Sequence, residues 1–249
     1  MPTRTWEPLP PCSDCMEIVE QLNRRMPQLY QSMGAETVIG ASFYPDANPE
    51  TTTVDGLVRT FSAIGTTWND IRTGPGTGAD DTSVTLTPRI RCDTNVNKWD
   101  SCQRGVALFD LSDYGEEALV SAELILRGQG TPKKDDFGDN ALVLISATLA
   151  SDTALALGDF DNFGTTEYAT RIPFAMWDIY GANSFHMNGD GMEFVTAALG
   201  GICRFGFKIS DDFDNTEPTW GSADVAEVVI ASSENTNYSG PKLVLRFRE

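Results

Sequence analysis

Residues 104–127, RGVALFDLSDYGEEALVSAELILR, narrow what this chain can fold into more than any other stretch. Val106 and Leu108 fall on one parity, and Ala107, Phe109 and Leu111 on the other. After Ser112-Asp113-Tyr114-Gly115, the run Val120, Ala122, Leu124, Leu126 alternates with Ser121, Glu123, Ile125, Arg127. A helix would return apolar residues every three or four positions, whereas a strand turns successive side chains to opposite faces. Alternation bounded by Gly, Ser and Asp therefore predicts strand, turn, strand, arranged as a half-buried antiparallel pair.

The same pattern continues on both sides. Further strands are expected at 56–61, 68–72, 84–92, 141–148, 172–179, 184–187, 202–209, 225–231 and 243–247, with Pro88 marking 84–92 as an edge. Residues 192–199 read as one or two helical turns. Loops of Gly, Asp, Asn and Ser join these runs, and no strand–helix–strand rhythm appears. The expected fold is all-β: an antiparallel β-sandwich of the jelly-roll kind over residues 41–249, with a short N-terminal helical arm in residues 1–40.

That arm carries the strongest helix signal. Asp14 followed by Glu17 has the form of a capping box, and Gly34 suits a stop. Val19, Leu22, Met26, Leu29 and Met33 make a narrow apolar seam among Glu17, Glu20, Gln21, Arg24 and Arg25, although Pro27 opposes one straight helix. Two readings remain open: the seam packs on its own domain, or it joins copies of the chain or anchors it to a larger assembly. The second makes homo-oligomerisation the expected partnership.

Charge and hydropathy exclude some functions. Among 249 residues, 36 are acidic and 18 basic, giving −18, so nucleic acid, which needs a basic face to displace counterions, is not an expected partner. No run approaches the roughly 20 apolar residues that span a bilayer. The start, MPTRTWEPLPPC, shows no apolar core of a secretory signal. Either the protein stays where it is made until lysis or assembly, or the sequence lacks its export signal.

Residues that could carry chemistry are sparse. His186 is the one histidine, between Phe185 and Met187, and no nucleophile motif accompanies it. The Gly-rich loop at 73–81 lacks the Lys-Ser/Thr ending of a phosphate-binding loop. Cys12 and Cys15 form a lone CxxC, while Cys92 and Cys102 flank a polar excursion, either as free thiols or as a pair. No enzyme is expected. Asp159, Asp161, Asp212 and Asp214 sit in acidic clusters that either present oxygens to Ca²⁺ or are solvated turn residues. Trp99, Trp177 and Trp220 are either core or a sugar-stacking platform.

Three stretches together carry a resemblance. RGVALFDLS followed by SAELILRG resembles the hairpin of DNRLRE-type jelly-roll domains, FYPDANPETTTVDGLV resembles their opening segment, and GPKLVLRF resembles their closing strand. Such domains are similar to carbohydrate-binding modules and occur on bacterial surface proteins and among virus and phage structural proteins. The resemblance spans residues 41–249. It implies a non-enzymatic structural protein of a phage-like virion, a head-decoration or fibre-like component displayed on the particle and contacting other virion proteins through its arm. The alternative it implies is a glycan-binding module of a cell-surface or extracellular protein.

Overall fold

The computed structural model describes residues 38–115 and 118–248. The arm seam Val19, Leu22, Met26, Leu29 and Met33 and the pair Cys12 and Cys15 lie outside the described residues. In order, the elements are β1 (Val38–Phe43), β2 (Asp55–Thr66), α1 (Trp68–Thr73), β3 (Gly78–Asp80), β4 (Thr85–Leu86), β5 (Arg89–Cys92), β6 (Trp99–Asp110) and β7 (Ala118–Arg127). There follow β8 (Lys134–Asp135), β9 (Ala141–Ser146), a 3₁₀ turn at Leu157–Asp161, β10 (Ile172–Pro173) and a second 3₁₀ turn at Phe174–Met176. The chain continues through β11 (Ala182–His186), α2 (Gly189–Ala198), β12 (Ile202–Ile209), α3 (Ser210–Asp214), β13 (Val225–Glu227), β14 (Ile230–Ala231) and β15 (Lys242–Arg248).

The fold is an antiparallel β-sandwich. One sheet has four strands in the order β1-β15-β7-β11, and the facing sheet has nine. Along the larger sheet, β10-β9-β12 joins β6, and β2 pairs with the opposite edge of β6. Take β6 out, and the two sheets have the strand order of a jelly roll, with successive strands crossing between them. β6 also makes the sheet fork. Its C-terminal half pairs with β12 through Gly105–Asp110, while its N-terminal half pairs with β5 through Trp99–Gln103. From β5 the second branch runs on to β13 and β8.

Both faces of β6 are covered, and this corrects the expected hairpin. β6 and β7 belong to opposite sheets: β7 pairs with β15 and β11, and the turn after Leu111 carries the chain across the sandwich. Ala107 and Phe109 join the main core with Phe205, Phe207 and Leu144. The other parity, carrying Arg104, Val106 and Leu108, is buried beneath α1, the Leu157–Asp161 turn and α3. A strand covered on both sides shows alternation in sequence without the half-solvated pairing that alternation predicts. In β7 the inward residues are Ala122, Leu124 and Leu126, as the pattern requires. A register shift opposite Arg246/Phe247 then leaves Val120 exposed and Leu119 facing in.

Three local readings change. Residues 68–72 form a helix, because Thr67 caps it by accepting from the Asp70 amide at 3.1 Å, and Trp68 and Ile71 then share its buried face. Residues 84–92 divide at Pro88, which has no amide hydrogen. Thr85–Leu86 pair with β14, and Arg89–Cys92 lie inside the sheet between β6 and β13, not at an edge. Residues 172–179 contribute two strand residues before the 3₁₀ turn. The helix expected at 192–199 and the core strand at 141–148 are found as α2 and β9.

Candidate functional site

The acidic residues expected to meet a cation have other partners. Asp159 is fully buried and accepts from the amides of Ala150 at 2.9 Å and Ala156 at 2.7 Å, closing its own loop. Asp212 is 1 % exposed and engaged by Arg104 and Arg72. Asp214 binds the Arg171 guanidinium, and Asp161 stands 4.0 Å from Arg104. Among the described residues, no three acidic, His or Cys side chains converge as a metal cage.

For Trp99 and Trp177 the sugar-stacking reading is corrected. Trp99 and Trp177 are 0 % and 2 % exposed, so neither offers a ring face to a ligand. Trp99 packs on Trp68 and Phe137, with its indole N–H donating to Glu217. Trp220 is half-buried and donates to the Lys98 carbonyl at 3.2 Å. Trp99 thus finds an acceptor for its one polar atom, whereas the buried Trp177 indole N–H has no partner among the described residues.

The buried charges fasten the back of the large sheet. Arg104 donates to Asp212 Oδ2 at 2.7 Å and Oδ1 at 2.8 Å, to the Arg72 carbonyl at 2.8 Å and to the Phe160 carbonyl. Its guanidinium also lies 4.0 Å over the Phe160 ring. One side chain thus pins α1, the 3₁₀ turn and α3 to β6. Burial alone would raise the Asp212 carboxyl, but Arg104 beside it, with Lys208 and Arg72, holds it below its ordinary value. Burial pushes the Lys208 amine down to about 8.

The open feature lies on the other branch of the fork. β2, β6 and β5 together line a groove of about 440 Å³. The pairings Arg59↔Gln103↔Arg89 and Phe61↔Ser101↔Arg91 set two rows side by side across the three strands. Gln103 shares its parity with Ala107 and Phe109, so the groove continues the side that forms the core farther along β6. Its floor is polar: Ser101 is 2 % exposed, and Gln103, 9 % exposed, donates to the Ser101 hydroxyl at 3.3 Å. Phe61, half exposed, and Thr77 form a wall.

Each arginine here is positioned differently. Arg91 makes a forked pair with Asp100, Nε to Oδ1 at 2.8 Å and Nη2 to Oδ2 at 2.7 Å, and that hydrogen bonding raises its already high pKa. Arg89 is held by Glu227 from β13. Arg59 lies across β3, where a Cβ on Gly78 would come within 2.5 Å of its Nε; glycine leaves the space that the guanidinium occupies. The Arg59 carbonyl accepts from the Thr77 amide at 2.8 Å, while its guanidinium has no ion-pair or hydrogen-bond partner among the described residues. Sequence reading missed this site because its members come from three separated strands. The available signal was the alternation Arg89, Arg91 beside Ile90, Cys92 in β5.

Among the described residues, the groups that could act as nucleophile or base do not assemble. Cys92, Cys102 and Cys203 are free and buried, which settles Cys92 and Cys102 as unpaired thiols. Burial pushes the Cys92 thiol up to about 11 and the Cys102 thiol up to about 12, far from the thiolate that a nucleophile requires. His186 is exposed, with Nε2 3.9 Å from Glu123. Compared with known proteins, the chain matches no family model and no curated protein.

Proposed function

We propose that this chain is a non-enzymatic recognition module of a phage-like particle. Its jelly-roll body is displayed outward, it is attached or oligomerised through residues 1–40, and its ligand occupies the groove over β2, β6 and β5. The groove carries the reading. It offers fixed hydrogen-bonding groups and a half-exposed ring, and its lining holds no carboxylate, histidine or cysteine to move a proton or attack a bond. Buried amide and hydroxyl donors beside an aromatic ring suit a polyhydroxylated ligand, so the carbohydrate-binding role implied by the resemblance falls to Phe61, Ser101 and Gln103 instead of the tryptophans.

Attachment through the N-terminal segment is favoured by β1. The other sheet edges are guarded: β10 is two residues long and contains Pro173, β8 is Lys134–Asp135, β3 has three residues, and β11 ends in His186. β1 has six residues, VIGASF, without charge or proline, and Val38 and Ile39 are about half exposed. An edge of that kind is an open template for another strand or a covering segment. It begins where residues 1–37 end.

The test is retention of the full chain on immobilised neutral and acidic glycans, with and without Phe61→Ala. Phe61 is 49 % exposed, so its truncation should leave the melting midpoint unchanged while abolishing retention. Retention unaffected by Phe61→Ala would remove the groove from the mechanism.

A further inference from the structure

We infer that the groove is built for a saccharide bearing an isolated carboxylate, a uronic acid unit among neutral sugars, with Arg59 as its receptor; this rests on the recognition reading above. The chain has twice as many acidic as basic residues, yet three arginines and no acid line this groove. Such a distribution focuses positive potential into one concavity of an otherwise negative surface. Arg89 and Arg91 spend their charge on Glu227 and Asp100. Among the described residues that line the groove, Arg59 is the arginine whose guanidinium has no counter-charge.

A guanidinium presents five N–H donors in a plane and matches a carboxylate in a two-pronged contact. The absence of a Cβ at Gly78 leaves room for that plane to lie across β3 beside the groove. Next to it, Gln103 and Ser101 supply amide and hydroxyl groups of the kind that pair with sugar hydroxyls, and Phe61 offers an apolar face to a ring. A volume of about 440 Å³ falls within the roughly 300–1,000 Å³ of small-molecule sites.

The same charge balance excludes a densely charged polymer. A chain at −18 repels one along its whole length, whereas a single carboxylate seated on Arg59 meets only the local field. Screening over about 8 Å at physiological salt separates the two cases.

The experiment is titration calorimetry of the full chain with oligosaccharides containing one glucuronate or galacturonate unit, and with the same oligosaccharides after carboxyl reduction. Carboxyl reduction should weaken binding roughly ten- to hundred-fold, the range for one hydrogen-bonded charge pair. Arg59→Gln should lose the same factor toward the acidic form and none toward the reduced form, at an unchanged melting midpoint. Equal affinity for acidic and reduced forms would overturn the uronate assignment and leave saccharide recognition standing. Binding of neither form, at concentrations where both are soluble, would overturn both.

Discussion

Replacing Asp212 with Asn removes one charge from the most buried ion pair among the described residues, and the structure fixes what should follow. The carboxylate accepts two bonds from Arg104 and one from Arg72, with Lys208 close by. The Arg104 side chain is 4 % exposed and cannot turn to water once its counter-charge is gone. Breaking one partner of a buried pair costs about 3–5 kcal/mol, because it strands the other charge. For a domain of this size each kcal/mol moves the midpoint by about 2–4 °C, so a fall of about 6–20 °C is expected at pH 7.

The pH dependence has a definite sign. The folded Asp212 carboxyl lies below its unfolded value of about 3.9, so its contribution is present above that pH and is lost as pH falls through the folded value. The gap between parent and Asp212→Asn should therefore narrow below about pH 4. Removing both charges, as Arg104→Met with Asp212→Leu, should cost less than the sum of the single losses. Thermal unfolding followed by circular dichroism, from pH 2 to 8, measures all of this. A loss below about 1 kcal/mol at pH 7 would put the pair in the class of exposed ion pairs and refute the argument from burial.

Two further outcomes are expected. Asp55 is fully buried, and burial, against the hydrogen bonds of Ser233, pushes its carboxyl up to about 7. The folded state then holds a proton that the unfolded chain has released above about pH 3.9, so stability should decline as pH rises from about 4 to 7. Asp55→Asn should flatten that decline in midpoint-versus-pH curves, and parallel curves would contradict the assignment. In the N-terminal segment, Leu22→Asp with Leu29→Asp should leave the body's midpoint unchanged while sedimentation shows loss of self-association; each leucine withdrawn removes roughly 1.5–3 kcal/mol of burial. Unfolding of the body by the same pair would make the segment part of the core instead.

Much of the fold can be read from the chain because alternation is a local property. The apolar parity of residues 104–111, 120–126 and 202–209 marks β6, β7 and β12, and the run at 141–146 marks β9. Together with Gly- and Asp-rich turns these make an antiparallel sandwich the only economical way to bury 41 % apolar residues. What alternation leaves undetermined is partnership. β6 and β7 look like a hairpin, yet each finds better apolar cover in a different sheet, and only the packing of α1 and α3 behind β6 decides it. Likewise Trp99 and Trp177 have the composition of a sugar platform, and their place in the core depends on neighbours such as Phe137 and Phe174, which are distant in sequence or turn with them. The acidic clusters are visible in sequence, but the arginines that claim Asp212 and Asp214 come from 40 or more residues away. The groove is the clearest case. Arg59, Arg89 and Gln103 become neighbours only through the register of β2, β6 and β5, and strand register is set by long-range burial that no short window of sequence contains.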